Sequence, residues 1–264
     1  MNIVRAYNTR AVNLVRLFVR RGDIPLLSAV VFDLYETLIS EYDPEFEPGP
    51  SIGPRLGIEE DSFKRGWSQL RERRETGDIP DYPSTLREIC LMADTRPDER
   101  TIQRLSEERL ALDAKPFAQV DNEILAMVTH LRKQGTRLAL LSNAALEETA
   151  GWDKSSLAEH FDHVVFSYHV GLMKPDPAIY AFVCERLGIP PSSAAYVGDG
   201  GDSELVGAQR AGLPPYWATW FLDHWPASTK RMETVPRNGA GQFPRLRLPP
   251  QVLAVVAPNP FTQD

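Results

Sequence analysis

In the stretch Ala29-Val30-Val31-Phe32-Asp33, four apolar residues run unbroken into a carboxylate. An apolar run this short and uniform is hydrophobic on both faces, which predicts a strand buried inside a parallel sheet. Runs of the same kind recur at Arg137 to Leu141, His163 to Phe166, Ala194 to Val197 and, more weakly, Tyr216 to Trp220. Helical patterns lie between most of them. Glu123 to Lys133 places Ile124, Val128 and Leu131 at helical spacing and stops at Gly135, and Pro177 to Leu187 stops at Gly188. Alternation of strand and helix predicts an α/β fold with a doubly wound parallel sheet, which binds its ligands beyond the carboxyl ends of the strands.

Roughly eighty residues separate the first strand from the helix at Glu123, too many for a structureless connection in a compact domain. Ser62 to Arg74, Ser84 to Met92 and Glu99 to Leu112 have amphipathic helical spacing, divided by Gly77-Asp78-Ile79-Pro80 and Thr95-Arg96-Pro97-Asp98. These features predict an all-helical cap inserted in the core and entered through the proline- and glycine-rich segment Asp43 to Pro54. The expected division is an N-terminal extension over 1–27, a cap over 44–117, and a core built from 28–43 and 118–264. Near the end, Arg231 to Pro244 has the polar composition of a loop, and a last weak strand and helix are expected around Leu248 to Val256.

The 264 residues are enough for such a core with an inserted second unit. Hydrophobic residues at 42%, charged residues at 25% and a formal charge of −7 describe an ordinary globular chain without the basic footprint of a nucleic-acid binder. Cys90 and Cys184, the two cysteines, have neither metal-knuckle nor disulfide-scaffold spacing, which fits a reducing, cytoplasmic setting. No apolar run is long enough for a transmembrane segment. Met1 to Arg21 differs from the rest: it carries Arg5, Arg10, Arg16, Arg20 and Arg21 and no acid, with Val12, Val15 and Val19 among its apolar positions. That pattern predicts a basic amphipathic helix, which suits a transit peptide, a membrane-surface helix, or a helix packed on the core or a partner.

Four features stand at strand ends: Asp33 with Tyr35 and Thr37; Ser142-Asn143; Lys174-Pro175; and Gly198-Asp199-Gly200-Gly201-Asp202-Ser203-Glu204. A parallel sheet brings all four to one edge, where carboxylates, a hydroxyl and a lysine together can bind a cation and an anion. Taken singly, each has a plainer reading. Asp33, Thr37 and Ser142 are residue types that cap helices or fill turns, and a lysine before proline is usually a solvated surface residue. In the last segment the carboxylate follows the strand directly and the glycines permit close backbone approach to a ligand.

Together, Val31-Phe32-Asp33-Leu34-Tyr35-Glu36-Thr37-Leu38, Leu141-Ser142-Asn143, Gly171-Leu172-Met173-Lys174-Pro175-Asp176-Pro177 and Val197-Gly198-Asp199 resemble the four ordered motifs of the haloacid dehalogenase-like superfamily. The resemblance runs over about residues 28 to 222, with the helical insert where that superfamily places its cap. It implies a Rossmann-like core in which Asp33 is the nucleophile, Thr37 and Ser142 hydrogen-bond the transferred group beside Asn143, and Lys174 neutralises charge. It further implies Mg²⁺ held by Asp33, Asp199 and the backbone carbonyl of Tyr35, with Glu204 in the place of a second acid and Asp202 assisting through water. A hard cation takes oxygen ligands and bridges carboxylates to phosphate, and charge stabilisation is the main task in phosphoryl transfer.

Two departures pull in opposite directions. Phosphatases of the superfamily usually carry a second Asp two residues after the nucleophile as general acid and base, where this chain has Tyr35. A phenol with a reference pKa of about 10 cannot serve as a base at neutral pH, and loss of such a group typically costs about 10² to 10⁴ in rate. Tyr35 resembles instead the 2-haloacid dehalogenases, in which attack on carbon expels halide, and Lys64, Arg65 or Arg71 of the cap suit a substrate carboxylate. The acids Asp199, Asp202 and Glu204 resemble the metal site of the phosphatases. His169 stands where many relatives have Glu and carries no assigned role. The leading expectation is a Mg²⁺-dependent phosphatase acting on a small phosphorylated metabolite. The alternatives are a metal-independent 2-haloacid dehalogenase and a non-catalytic binding domain on the same fold.

Overall fold

The computed structural model describes residues 27–45, 49–226 and 239–256. The basic helix expected over Met1 to Arg21, part of the segment Asp43 to Pro54, and most of the loop Arg231 to Pro244 lie outside the described residues.

Six parallel strands form one sheet in the order β3-β2-β1-β4-β5-β6. They are β1 (Ala29–Phe32), β2 (Arg137–Ser142), β3 (His163–Phe166), β4 (Ala194–Gly198), β5 (Pro215–Ala218) and β6 (Arg245–Leu246). The uniform apolar character of β1 has its cause in the two cores it serves. Val30 and Phe32 face one side with Leu138 and Leu140, while Ala29 and Val31 face the other with Ala139, Leu141 and Tyr196. Burying a large aliphatic or aromatic side chain of this kind contributes about 1.5–3 kcal/mol, so both faces must be covered. Helix α5 (Asn122–Lys133) covers the first with Ile124, Met127, Val128 and Leu131. Helices α6 (Pro177–Leu187) and α7 (Glu204–Arg210) cover the second with Ile179, Val183, Leu205 and Ala208. The sheet is therefore doubly wound, and β1 is the switch point, because the chain proceeds to β2 and β3 on one side and returns to β4 on the other.

The insert is all-helical among the described residues; its longest helices are α1 (Glu60–Gln69), α2 (Arg71–Glu75), α3 (Tyr82–Met92) and α4 (Glu99–Asp113), with single turns at Ile52–Arg55 and Lys115–Ala118. Each of the four but α2 starts on an acidic side chain that accepts a backbone N–H, from Glu59, Asp81 and Asp98 respectively. Their apolar stripes meet in a third core of their own, around Phe63, Leu70, Tyr82, Leu86, Ile89, Ile102 and Leu105. The helix expected over Ser62 to Arg74 is two helices, divided at Leu70.

Two late elements are shifted from their expected places. β5 ends at Ala218 rather than Trp220, and the last strand falls at Arg245–Leu246, ahead of a 3₁₀ turn over Pro249–Ala254. Pro249 and Pro250 lack the N–H groups a further strand would need and suit the start of a helical turn. Among the described residues no helix is long and apolar enough to cross a membrane.

Candidate active site

The switch point puts the carboxyl ends of β1 and β4 side by side. Asp33 directly follows β1 and its N–H donates to the Val197 carbonyl of β4 at 2.9 Å. Asp199 follows β4, with its carboxylate accepting the Gly201 N–H at 2.9 Å and its carbonyl accepting Trp217 Nε1 at 2.8 Å. Glu204, at the start of α7, turns back toward the strand end, where Oε1 accepts the Gly200 N–H at 3.0 Å. Gly198 makes room for it, since a Cβ there would collide with Glu204 Oε1. The donor oxygens of Asp33, Asp199 and Glu204 lie within 4.8 Å of one another, and all three residues are buried.

Lys174 reaches into this group. Its Nζ donates to Asp33 Oδ1 and to Glu204 Oε2 at 2.5 Å each, and to the Tyr196 hydroxyl at 3.1 Å. Tyr196, on β4, in turn donates to Glu204 Oε2 at 2.6 Å. Thr37 Oγ1 donates to Asp33 Oδ2 at 3.3 Å. Asn143 bonds to the backbone of Lys174 rather than to Asp33: its amide accepts from the Lys174 N–H and donates to the Lys174 carbonyl, at 2.7 and 2.8 Å. Ser142 closes β2, buried, with a long 3.4 Å bond to the Asn143 carbonyl. Of the expected residues, then, Asp33, Thr37, Lys174 and Glu204 form one hydrogen-bonded cluster, Asp199 lies beside it with a carboxylate oxygen within 4.8 Å of those of Asp33 and Glu204, Asn143 supports it from behind, and Ser142 stands at its edge.

Burial dominates the electrostatics. It raises the Asp33 carboxyl above its ordinary value despite Lys174, and repulsion from Asp199 adds to the effect. Glu204 is pushed up to about 8 by burial and by Asp33, against the pull of Lys174. For Lys174, burial works against the charged form, but Asp33 and Glu204 outweigh it and hold the ammonium firmly protonated. One cation among three buried carboxylates leaves the cluster short of positive charge. An oxygen-only donor set with a surplus of negative charge fits a hard divalent cation.

A family model for haloacid dehalogenase-like hydrolases matches residues 27–212. The chain belongs to that family of hydrolases. Among curated members, the glyceraldehyde 3-phosphate phosphatase of Methanopyrus kandleri is 34% identical over 92 residues, 34% of this chain and 40% of the relative. The (S)-2-haloacid dehalogenase of Pseudomonas sp. (strain YL) is 25% identical over 197 residues, 72% of this chain and 82% of the relative. The phosphatase match thus covers only two-fifths of its relative's length. Two structures share the fold of this family member. One is a 2-haloacid dehalogenase from Pseudomonas syringae pv. Tomato DC3000, with a TM-score of 0.57 and 20% identity over 87% of this chain and 97% of the other. The second is a HAD phosphatase from Thermococcus onnurineus, with a TM-score of 0.56 and 20% identity over 88% and 99%.

Within this family member the position two residues after Asp33 is occupied by a phenol that is already engaged. Tyr35 donates its hydroxyl to the Glu148 carbonyl and packs edge-on against Phe117, with ring centroids 6.4 Å apart. Burial holds its pKa well above the ordinary phenol value. Glu36 points away: its carboxylate accepts from Ser40 Oγ, the Glu41 N–H and Trp225 Nε1. It adopts a left-handed backbone with φ of 58°, a conformation costing about 1–2 kcal/mol for a residue with a side chain and offset here by those bonds.

The cap lies on this edge through charged contacts that sequence reasoning missed. Arg71 of α2 grips Asp202 with both terminal nitrogens and gives its Nε to Glu75 at 2.7 Å. Asp202, expected to assist a metal through water, is paired here with Arg71 of the cap. Arg74 is buried, stacks 3.5 Å over Trp67 and donates to Glu148 at 3.1 Å. Lys64 and Arg65, the other cationic candidates for a substrate carboxylate, are exposed and pair with Glu60 and Glu59 beside them. His169 stacks on Tyr168 at 4.0 Å between ring centroids. Tyr196 carried the clearest missed signal, since a hydroxyl inside a wholly buried strand requires a partner.

Proposed function

We propose that this hydrolase is a phosphatase that acts on a small phosphorylated metabolite through an aspartyl-phosphate on Asp33, with Mg²⁺ as cofactor. The observation that carries this reading is the buried acid set Asp33, Asp199 and Glu204, which leaves Lys174 outnumbered three to one. Asp33, Asp199, Glu204 and the backbone carbonyl of Tyr35 would hold Mg²⁺, which when bound supplies charge neutralisation at the transferred group. Asp33 attacks phosphorus, Lys174 balances charge on the phosphoryl oxygens, and Thr37 and Ser142 offer hydroxyl donors to them. Asn143 fixes the backbone from which Lys174 projects. The two free, buried cysteines suit a reducing, cytoplasmic setting.

A second reading, a metal-independent 2-haloacid dehalogenase, is favoured by Tyr35. There Asp33 attacks carbon, the halide leaves with the bonding electron pair, and departure needs no proton. Parallel assays separate the two: hydrolysis of aryl phosphates and halide release from 2-chloropropionate, each with Mg²⁺ and with EDTA. The phosphatase reading expects phosphate release that EDTA abolishes and that Asp33→Asn removes. Halide release undiminished by EDTA, without phosphate hydrolysis, would establish the dehalogenase instead.

A further inference from the structure

An aspartyl-phosphate cycle needs a proton for the leaving oxygen and a base for the water that follows. Tyr35, whose hydroxyl is given to the Glu148 carbonyl, and Glu36, whose carboxylate is hydrogen-bonded to Ser40, Glu41 and Trp225, supply neither. Three acids line the seam between cap and core: Glu75 and Glu147, which are buried, and Asp113, which is partly buried. Asp113 is tied to Arg109 Nε at 2.6 Å, one turn earlier on the same helix. Glu147 faces Arg74, Arg109 and Tyr82, the inner side of the cap. Glu75 faces Asp202 of the loop after β4 and Glu148 of the loop after β2.

Helix α2 is stretched between the two loops that carry the site. At its start Arg71 holds Asp202, three residues after Asp199. At its end Arg74 holds Glu148, whose Oε2 accepts the Ala145 N–H at 2.8 Å, just beyond Ser142-Asn143. Glu75 sits on this helix at 6% exposure. One of its oxygens accepts from Arg71, and the other, Oε2, is buried without a hydrogen-bond partner, as is Glu147 Oε1 on the inner side of the cap; of the two, Glu75 is the one whose neighbours include the loop after β4. A buried unpaired acceptor costs about 1–3 kcal/mol, and a substrate group that brings a hydrogen to this place supplies the missing bond. The charges facing Glu75 are Arg71 from its own helix, Glu148 from the loop after β2 and Asp202 from the loop after β4.

We infer that Glu75 is the acid–base residue of this hydrolase, reaching from the cap into the place that Tyr35 leaves unserved. The inference rests on the phosphatase reading. In the first half, an Asp33 oxygen bonds to phosphorus, the bond to the leaving oxygen breaks with its electron pair, and the Glu75 proton passes to that oxygen. In the second half, a water oxygen bonds to phosphorus, its proton passes to the Glu75 carboxylate, and the bond to Asp33 breaks with its pair returned to the Asp33 carboxylate. Burial holds the Glu75 carboxyl above its ordinary range against the pull of Arg71, and Glu148 and Asp202 add to the rise. An acid so held retains more of its proton near neutral pH than a solvated one does.

The test is pre-steady-state and steady-state hydrolysis of aryl phosphates of graded leaving-group pKa by the full chain with Mg²⁺, comparing wild type with Glu75→Gln. Glutamine keeps an oxygen for Arg71, and circular dichroism checks the fold. The expected result is a loss of about 10²- to 10⁴-fold on poor leaving groups. On p-nitrophenyl phosphate, a stoichiometric burst of phenol precedes slow turnover, and Glu75→Asp restores part of the rate. A uniform loss on every substrate without a burst, turnover equal to wild type, or leaving-group dependence that follows Glu147→Gln instead would each overturn the assignment. An active wild type with an unaffected Glu75→Gln variant removes Glu75 alone. A wild type without Mg²⁺-dependent phosphate hydrolysis removes the phosphatase reading and this inference with it.

Discussion

Asn143 holds the backbone of Lys174 with both ends of its side-chain amide, accepting from the N–H at 2.7 Å and donating to the carbonyl at 2.8 Å. The pair joins the loop after β2 to the loop before α6, and so sets where the Lys174 ammonium projects. Asn143→Ala removes both bonds. We expect a stability loss of about 1–3 kcal/mol, seen as a lower urea midpoint, with a fall in kcat that exceeds any change in KM. A kcat equal to wild type would show that Lys174 finds its place without the clamp.

The Arg71 and Asp202 pair ties cap to core where both side chains are partly exposed, at 48% and 36%. Ion pairs of that exposure contribute about 0–1 kcal/mol, while Asp33, Lys174, Asp199 and Glu204 lie buried beneath the docked cap. Arg71→Ala is expected to leave the melting temperature almost unchanged while speeding amide exchange over 71–75. Unchanged exchange in that helix would mean that the cap is held by other contacts.

Burial raises Asp113 to about 7 despite its bond to Arg109. A carboxyl raised on folding binds its proton more tightly in the folded state, so its contribution to stability is full below the unfolded value of 3.8 and declines as pH rises toward about 7. The stability of wild type relative to Asp113→Asn should therefore fall between pH 4 and pH 7, measured by urea denaturation in buffers across that range. A difference that is flat with pH would show that Asp113 titrates as a solvated acid.

Most of the core was legible because both-face burial leaves an unbroken apolar run, as in Ala29 to Phe32, and because Gly188 ends α6 where the pattern stops. The strand-end carboxylates were legible for the same reason, since Asp33 and Asp199 each follow such a run directly. What was hidden depended on docking. Neither Arg71 with Asp202 nor Arg74 with Glu148 has any local spacing to mark it, because each pair joins residues brought together only when the cap meets the core. Tyr196 is hidden differently: β4 looks like an apolar strand, and only its burial between Lys174 and Glu204 shows what the hydroxyl serves. Leu70, which divides the first cap helix, has no proline or glycine to announce the break.

Phosphoryl transfer to Asp33 leaves a covalent adduct that can be trapped. Rapid acid quench of the protein turning over an aryl phosphate with Mg²⁺, followed by peptide mass spectrometry, measures it directly. A phosphoryl group is expected on the peptide containing Asp33, lost with EDTA and absent in Asp33→Asn. Turnover without any adduct on that peptide, or an Asp33 adduct formed from 2-chloropropionate and none from the phosphate, would contradict it.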